Sequence, residues 1–216
     1  MKPWILDLCC GAGLVSRGLQ LVGFRTHGVD LYPQPNYIGD EFTQADALEF
    51  LRTADMRRYV AIHMSAPCQL WTGMASCRPG LNEKYPDLIT PGRPLLEATG
   101  LPWVMENVPR SPLRPDLMLC GQMFGLPLYR HRIFESNMLL MQPEHPKHLI
   151  PASKAGHWKP GTIISVSGHC SPIALAREAM GGVDWCTRDE LAEGIPLPYT
   201  RFIGEQLMAH LTEVAA

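Results

Sequence analysis

No apolar run in these 216 residues reaches the length of a membrane-spanning helix. Lysine is scarce, confined to Lys2, Lys84, Lys147, Lys154 and Lys159, and arginine carries the rest of the positive charge. With a net charge of −2 and a pI near 6.4, bulk attraction to nucleic acid is excluded, though a local basic cleft is not. Arginine suits bidentate contact with phosphates and base edges. Internal repeats, long charge blocks and low-complexity tracts are all absent. So is any C-x-x-C pair. The seven cysteines, Cys9, Cys10, Cys68, Cys77, Cys120, Cys170 and Cys186, are odd in number, and no apolar leader precedes Trp4. Reduced thiols in a cytoplasm are therefore expected, not a disulfide framework.

What is present is a regular alternation of strand-like and helix-like stretches. Trp4–Leu8, Arg25–Asp30, Tyr59–Met64, Trp103–Val108 and Arg130–Glu135 read as strands. The run after Gly13 reads as a helix closed by Gly23, and the run after Asp46 as a helix capped by that carboxylate. Leu88–Thr99 is helix-like but interrupted at Pro91-Gly92. Thr187 and Glu190 form a capping-box start, and Thr200–Glu213 reads as a terminal amphipathic helix. This order predicts an α/β fold, a doubly wound and mostly parallel sheet. After Met141 the prolines 143, 146, 151 and 160 punctuate a segment expected to form a small accessory lobe of loops and short strands.

Two loops at strand ends carry chemistry. In Asp7-Leu8-Cys9-Cys10-Gly11-Ala12-Gly13, glycines let a ligand approach the backbone. Ser16 breaks the G-x-G-x-x-G pattern, which disfavours a dinucleotide. Asp30 follows about twenty residues later, where a carboxylate can accept both ribose hydroxyls. Asp46 is placed to accept from an adenine amino group. Each acid alone is explained by a helix cap or a solvated charge. Together they suggest a nucleoside-bearing cofactor without a phosphate requirement, which fits S-adenosylmethionine better than NAD. The second loop is Ser65-Ala66-Pro67-Cys68-Gln69, where a proline stiffens the turn that carries a cysteine at a strand end. Leu70–Glu83, with Gly73 and Gly80, reads as a mobile loop over that cysteine.

The order of Asp7–Gly13, Gly28-Val29-Asp30, Pro67-Cys68-Gln69, Glu106-Asn107-Val108 and Arg130-His131-Arg132 resembles that of the DNA (cytosine-5) methyltransferases, in a compact, phage-type form. The resemblance covers Trp4–Glu135 and resumes at Tyr199–Leu207. It implies a Rossmann-like class I S-adenosylmethionine-dependent methyltransferase domain over residues 1–135 and a target-recognition lobe over 136–198. Residues 199–216 would pack back on the catalytic domain. Cys68 would be the nucleophile at carbon 6 of a flipped cytosine, and Glu106 the acid at ring nitrogen 3. Arg132 would hold the carbonyl oxygen. Arg130 would support the site or the Cys68 loop, and Asn107 would brace the backbone around Pro67, with Gln69 beside them. Asp7, Cys9, Gly11, Ala12, Gly13, Leu14, Asp30, Leu31, Asp46, Ala47 and Pro67 would hold the cofactor, with S-adenosylhomocysteine as product.

The sequence departs from the family at three places: Cys9 replaces the usual Phe, Leu14 a glycine, and Leu128 a glutamine. The expected partner is double-stranded DNA, read over a short target by candidates Arg177, Arg188, His157, His169 and Lys159. No membrane partner is expected. A monomer in a cytoplasm (that of a bacterial host, if phage-encoded) and a companion restriction nuclease fit the same reading. Transfer RNA as substrate, or a non-enzymatic DNA-binding relative, are the alternatives. Cys9 and Cys10 read as packing residues, and Trp71 as a loop anchor. His145, His148, His157, His169 and Cys170 could suggest zinc, but paired C-x-x-C spacing is missing and Pro146 separates the first two. No metal is expected, and these read as loop histidines, some near phosphates.

Overall fold

The computed structural model describes residues 2–72, 84–154, 156–168 and 172–214. Seven strands form one sheet: β1 (Trp4–Leu8), β2 (Arg25–Asp30), β3 (Glu41–Gln44), β4 (Tyr59–Ser65), β5 (Trp103–Asn107), β6 (Leu117–Leu119) and β7 (Arg132–Ser136). Their order is β3-β2-β1-β4-β5-β7-β6. β1 pairs in parallel with β2 and β4, and β7 pairs antiparallel with both β5 and β6. The chain runs outward from β1 to β3, then crosses back to start β4 on the other side. That reversal creates a crevice at the carboxyl ends of β1 and β4, the position where open α/β sheets bind ligands.

Strand alternation assigns the two faces. Ile5, Ala61, Val104 and Phe134 share a cluster with α1 (Leu14–Val22) and the terminal helix, while Leu6, Leu8, Ile62, Met64 and Met105 pack against α2 (Ala47–Thr53) and α3 (Ile89–Ala98). Two short helices follow, α4 (Ile173–Ala179) and α5 (Arg188–Glu193), and then the terminal α6 (Leu197–Val214). No helix among the described residues is long and apolar enough to cross a membrane. The five described cysteines, Cys9, Cys10, Cys68, Cys120 and Cys186, are free of disulfides.

Several expectations are corrected. α3 is continuous through Pro91-Gly92. Pro91 lies in the first turn, where its missing N–H would have had no intrahelical acceptor. Gly92 lets the helix approach β4, since a Cβ there would stand 3.2 Å from the Met64 sulfur. β7 begins at Arg132, not Arg130, because Arg130 holds φ 28°, a left-handed value that cannot continue an extended strand. α6 begins at Leu197, three residues before the expected start, with Pro198 tolerated in its first turn. β3 and β6 have no counterpart in the sequence reading: β3 is a short, mostly exposed edge strand, and β6 has only three residues. Residues 73–83 of the expected closing loop lie outside the described residues, as do Cys77, His169 and Cys170.

Candidate active site

The first turn is shaped by backbone that few side chains adopt. Cys9, Gly11 and Gly13 have φ values of 56°, 49° and 81°. The turn is held from β2: an Asp30 carboxylate oxygen accepts from the Gly11 N–H at 3.0 Å, and its other oxygen from the Tyr32 N–H at 3.1 Å. From the far end of the chain, the Trp185 indole donates to the Ala12 carbonyl at 2.9 Å. Ala12 and Leu14 pack into a third apolar cluster with Ile163, Ile164, Val166, Cys186 and Leu191. The segment after β7 is thereby packed onto the turn.

The chemistry-bearing residues stand across the crevice. Cys68 follows β4 and sits at the start of the single-turn helix Gln69–Trp71. Trp71 is partly buried against the cluster beneath α2 and α3. Asn107, at the end of β5, donates to the Ala66 carbonyl at 2.8 Å and so ties the Pro67 turn to the neighbouring strand. Glu106 is buried on β5, and the Arg132 Nε approaches its carboxylate at 2.9 Å. Gln69 donates to Glu193 at 3.4 Å. Arg130 acts on Cys68 through its charge, and its described hydrogen bonds go elsewhere. Its guanidinium donates to the Ala192 and Gly194 carbonyls at 2.6–3.0 Å and also to the Val166 carbonyl, closing the open carboxyl end of α5.

Burial sets the protonation states. It pushes the Glu106 carboxyl above its ordinary range, against the opposing pull of Arg132, His63 and Arg130. It likewise raises the Cys68 thiol, with Arg132 and Arg130 pulling down and Glu106 pushing up. Burial and the like charge of Arg132 lower Arg130 to about 9, which leaves it cationic at neutral pH. The site therefore pairs a carboxyl that holds its proton more tightly than usual with a thiol that gives its proton up less readily, under two guanidinium groups.

One cavity of about 530 Å³ joins both ends. Cys9, Gly11, Ala12, Leu14, Asp30, Leu31, Asp46, Ala47 and Pro67 line it, together with Cys68, Gln69, Glu106 and Arg132. Asp7 and Gly13 do not. Asp7 is fully buried and accepts from the Ser16 hydroxyl at 2.7 Å, with His63 Nδ1 at 3.3 Å. Gly13 precedes α1 at a positive φ, where a Cβ would press on the Tyr37 ring at 3.0 Å. Both shape the turn from behind. Asp46 lines the cavity and also caps α2, accepting from the Glu49 N–H at 2.8 Å. Glu190, Glu193, Gly194 and Ile195 also line the cavity, contributed by α5 and the residues after it. Among these only the capping box gave a sequence signal: Glu190 caps α5 while accepting from Asn36 at 3.1 Å. The Ser65 hydroxyl, at the cavity wall, is buried without a hydrogen-bond partner among the described residues.

No family model matches the chain, and no curated protein sequence matches it significantly. Solved structures do. The S. pombe methyltransferase Dnmt2 superposes with a TM-score of 0.64 at 14% identity, over 97% of this chain and 99% of that one. A protein named as a DNA modification methyltransferase, encoded within an E. coli prophage, gives 0.63 at 12% identity over 98% and 100%. The Entamoeba histolytica methyltransferase EhMeth gives 0.56 at 12% identity over 100% and 99%. At such identities the likeness is one of fold: the chain shares with these structures a Rossmann-like α/β fold around a seven-stranded, mostly parallel sheet.

Proposed function

We propose that this chain is an S-adenosylmethionine-dependent DNA (cytosine-5) methyltransferase. The observation that carries the reading is the single cavity that joins the Asp30–Gly11 turn to Cys68, Glu106 and Arg132. The cofactor end suits a nucleoside. Asp30 offers a carboxylate for ribose hydroxyls, Asp46 a second acceptor, and Leu31 and Ala47 apolar walls. The unpartnered Ser65 hydroxyl marks a place where a polar ligand atom would be satisfied. S-adenosylmethionine, held there, supplies an electrophilic methyl group.

Carbon 5 of cytosine is a weak nucleophile, and the chain's residues correct that. The Cys68 thiol loses its proton, and the thiolate adds to carbon 6 of the ring. The displaced electron pair moves toward ring nitrogen 3, where protonated Glu106 donates. Arg132 holds the carbonyl oxygen and the growing charge, in a site dry enough for both contacts to count. Carbon 5 is now enamine-like and can take the methyl group. Loss of the carbon-5 proton to water then forms the carbon-5–carbon-6 double bond, breaks the carbon–sulfur bond and releases the Cys68 thiolate, and Glu106 takes its proton back from ring nitrogen 3. The cytosine must be swung out of the helix to reach Cys68. Asn107 keeps the Pro67 turn rigid, and Arg130 fixes α5 above the cavity. Residues 136–198 serve as the target-recognition lobe. Within it Arg177 is committed to the Cys186 carbonyl at 2.8 Å, which leaves exposed Arg188, His157 and Lys159 as base or phosphate contacts.

Base-resolution methylation sequencing of host DNA, with and without expression of the chain, tests the reading. The expected result is new 5-methylcytosine in one short sequence context, absent with Cys68→Ala. Methylation of transfer RNA in preference to duplex DNA in direct competition would move the substrate to RNA. No methylation of either would leave a binding protein.

A further inference from the structure

A second cluster of chemistry-bearing side chains lies outside this cavity. Cys120 follows β6 and is buried; His131 immediately precedes β7; His145 and His148 come from the extended segment after β7. Three separate stretches of the chain thus converge. One sulfur and three imidazole nitrogens all lie within 4.8 Å of one another. The Cys120 sulfur is 3.2 Å from His148 Nε2, and His131 Nε2 is 3.1 Å from His145 Nε2. The His131 and His145 rings stack at 14° to one another, the His148 ring is tilted by 44–45° to both, and the centroids lie 4.9–5.3 Å apart.

We propose that Cys120, His131, His145 and His148 form a structural zinc site. Zinc binds thiolate sulfur near 2.3 Å and imidazole nitrogen near 2.0–2.1 Å, so a tetrahedral set places its ligand atoms roughly 3.3–3.6 Å apart. The two close pairs lie just inside that spacing, and no pair is more than 4.8 Å apart, so small side-chain rotations would bring the four atoms to it. Hydrogen bonds can join these atoms two by two, but pairing does not account for all four meeting at one point. Protonation would bring like charges together at van der Waals distance. A dipositive ion satisfies a thiolate and three imidazole lone pairs at once. One soft sulfur with three imidazoles favours zinc over calcium or magnesium, which take oxygen ligands. With four protein ligands the site is closed, so it holds structure and activates no water.

The site has its own support. The Tyr129 ring stacks on His148 with centroids 3.7 Å apart, while the Tyr129 hydroxyl donates to the Ile150 carbonyl. The Met118 N–H donates to the Gln142 side chain at 2.9 Å. These contacts lay the segment 142–150, which has no regular structure, across the β6–β7 edge. Zinc would fasten it there, and would fix His131 beside Arg132.

The sequence reading set His145 and His148 beside His157, His169 and Cys170 and expected no metal. The ligand partners are instead Cys120 and His131, brought in by β6 and β7.

The test uses the full chain without a histidine tag, produced in zinc-supplemented cells and dialysed. Elemental analysis should find one zinc per chain. The His145→Ala/His148→Ala variant should lose it. After exchange with cobalt, the wild type should show the visible bands of a tetrahedral site and a thiolate-to-cobalt charge-transfer band, which Cys120→Ser abolishes. X-ray absorption on the zinc protein should find one sulfur and three nitrogens. That measurement decides the matter even if a variant does not fold. Wild-type protein that holds no zinc and takes up no cobalt overturns the proposal. So does zinc retained in full by the double histidine variant, or a ligand set other than one sulfur and three nitrogens. None of these readouts depends on methyl transfer.

Discussion

At the scale of single residues, burial sets two protonation states against their usual values. Burial raises the Cys68 thiol, and Arg132 is the largest opposing influence. A raised thiol pKa means less thiolate at neutral pH, so alkylation of Cys68 in the free protein should be slow at pH 7. It should still be climbing at pH 9, where an ordinary thiol is already mostly ionised. Arg132→Gln removes the charge that favours thiolate, so the same profile should move to higher pH still; mass spectrometry of the alkylated Cys68 peptide reads both. An unmoved profile would place the guanidinium's effect elsewhere. Cys68→Ala should abolish turnover while calorimetry still finds S-adenosylmethionine bound, because Cys68 contributes the attacking atom and not the ribose contacts. Wild-type protein should form a stable adduct with DNA carrying 5-fluorocytosine, whose carbon 5 cannot lose a proton. Asp30→Ala removes the proposed ribose hydrogen bonds to a charged acceptor, a net loss of about 1.5–3 kcal/mol. Cofactor affinity should fall roughly ten- to a hundred-fold. Unchanged affinity would put Asp30 outside the binding contacts.

At the scale of elements, two contacts hold helices to the sheet and to each other. α1 and α6 cross at Gly18, where an added Cβ would stand 2.0 Å from the Thr200 hydroxyl and 2.7 Å from the Arg201 backbone nitrogen. Backbone cannot retreat as a flexible side chain can, so Gly18→Ala should destabilise by about 1–3 kcal/mol. Gly204→Ala meets only Val22 and Leu19 methyls at 3.1–3.2 Å and should cost less. Urea unfolding of the two variants checks the ranking. α3 is fastened to β7 by Arg93, which grips the buried Glu135 carboxylate with two bonds of 2.6 and 2.8 Å. Burial pushes the Glu135 carboxyl up, but Arg93 and the Arg114 N–H outweigh it and hold the group below its ordinary value. A carboxylate lowered in the folded state contributes stability above its unfolded pKa. That contribution is lost as pH falls through the folded value. Arg93→Met should leave the buried carboxylate with only the Arg114 N–H at 2.9 Å and the Arg114 guanidinium at 3.8 Å, at a cost of about 3 kcal/mol near neutral pH. The penalty should shrink as the pH falls below the ordinary carboxylate range and Glu135 takes up a proton. A penalty independent of pH would show that packing, not charge, is what Arg93 supplies.

At the scale of the whole molecule, the balance of charge bears on how the proposed methyltransferase would bind DNA. A net charge of −2 gives no general attraction for phosphate, so binding rests on local arginines and lysines. Each phosphate contact releases counterions, and affinity for duplex DNA should fall steeply with salt. Recognition is limited by room. If residues 136–198 are the recognition lobe proposed above, about sixty residues would offer a reading surface comparable with a single DNA-binding module, roughly 600–1,000 Å². Exchanging residues 136–198 for a relative's lobe should transfer the target sequence and leave the chemistry intact. A chimera that keeps its original target would place recognition in the catalytic domain. Because the third apolar cluster joins this segment to Ala12 and Leu14, the exchanged lobe must preserve those contacts to keep the cofactor turn in shape.

The sequence by itself determined the central strands, the order of the loops at their carboxyl ends and the identity of the residues there. Local rules suffice for that: buried strands must be apolar, tight turns need glycine or proline, and helices need caps. Cys68, Glu106, Arg132, Asp30 and the glycine turn are therefore legible one by one. Tertiary structure alone decided which of them share a cavity and which stand behind it. Asp7 lies within a cofactor-like motif yet faces α1, because strand alternation turns it toward Ser16. Arg130 sits two residues from Arg132, but its left-handed backbone sends it to the carbonyls that end α5. β3 and β6 escaped notice because edge strands gain their form from the neighbour they pair with. Cys120, His131, His145 and His148 have no shared spacing at all. They meet because β6 and β7 pair in antiparallel register, and the chain after β7 folds back over that edge.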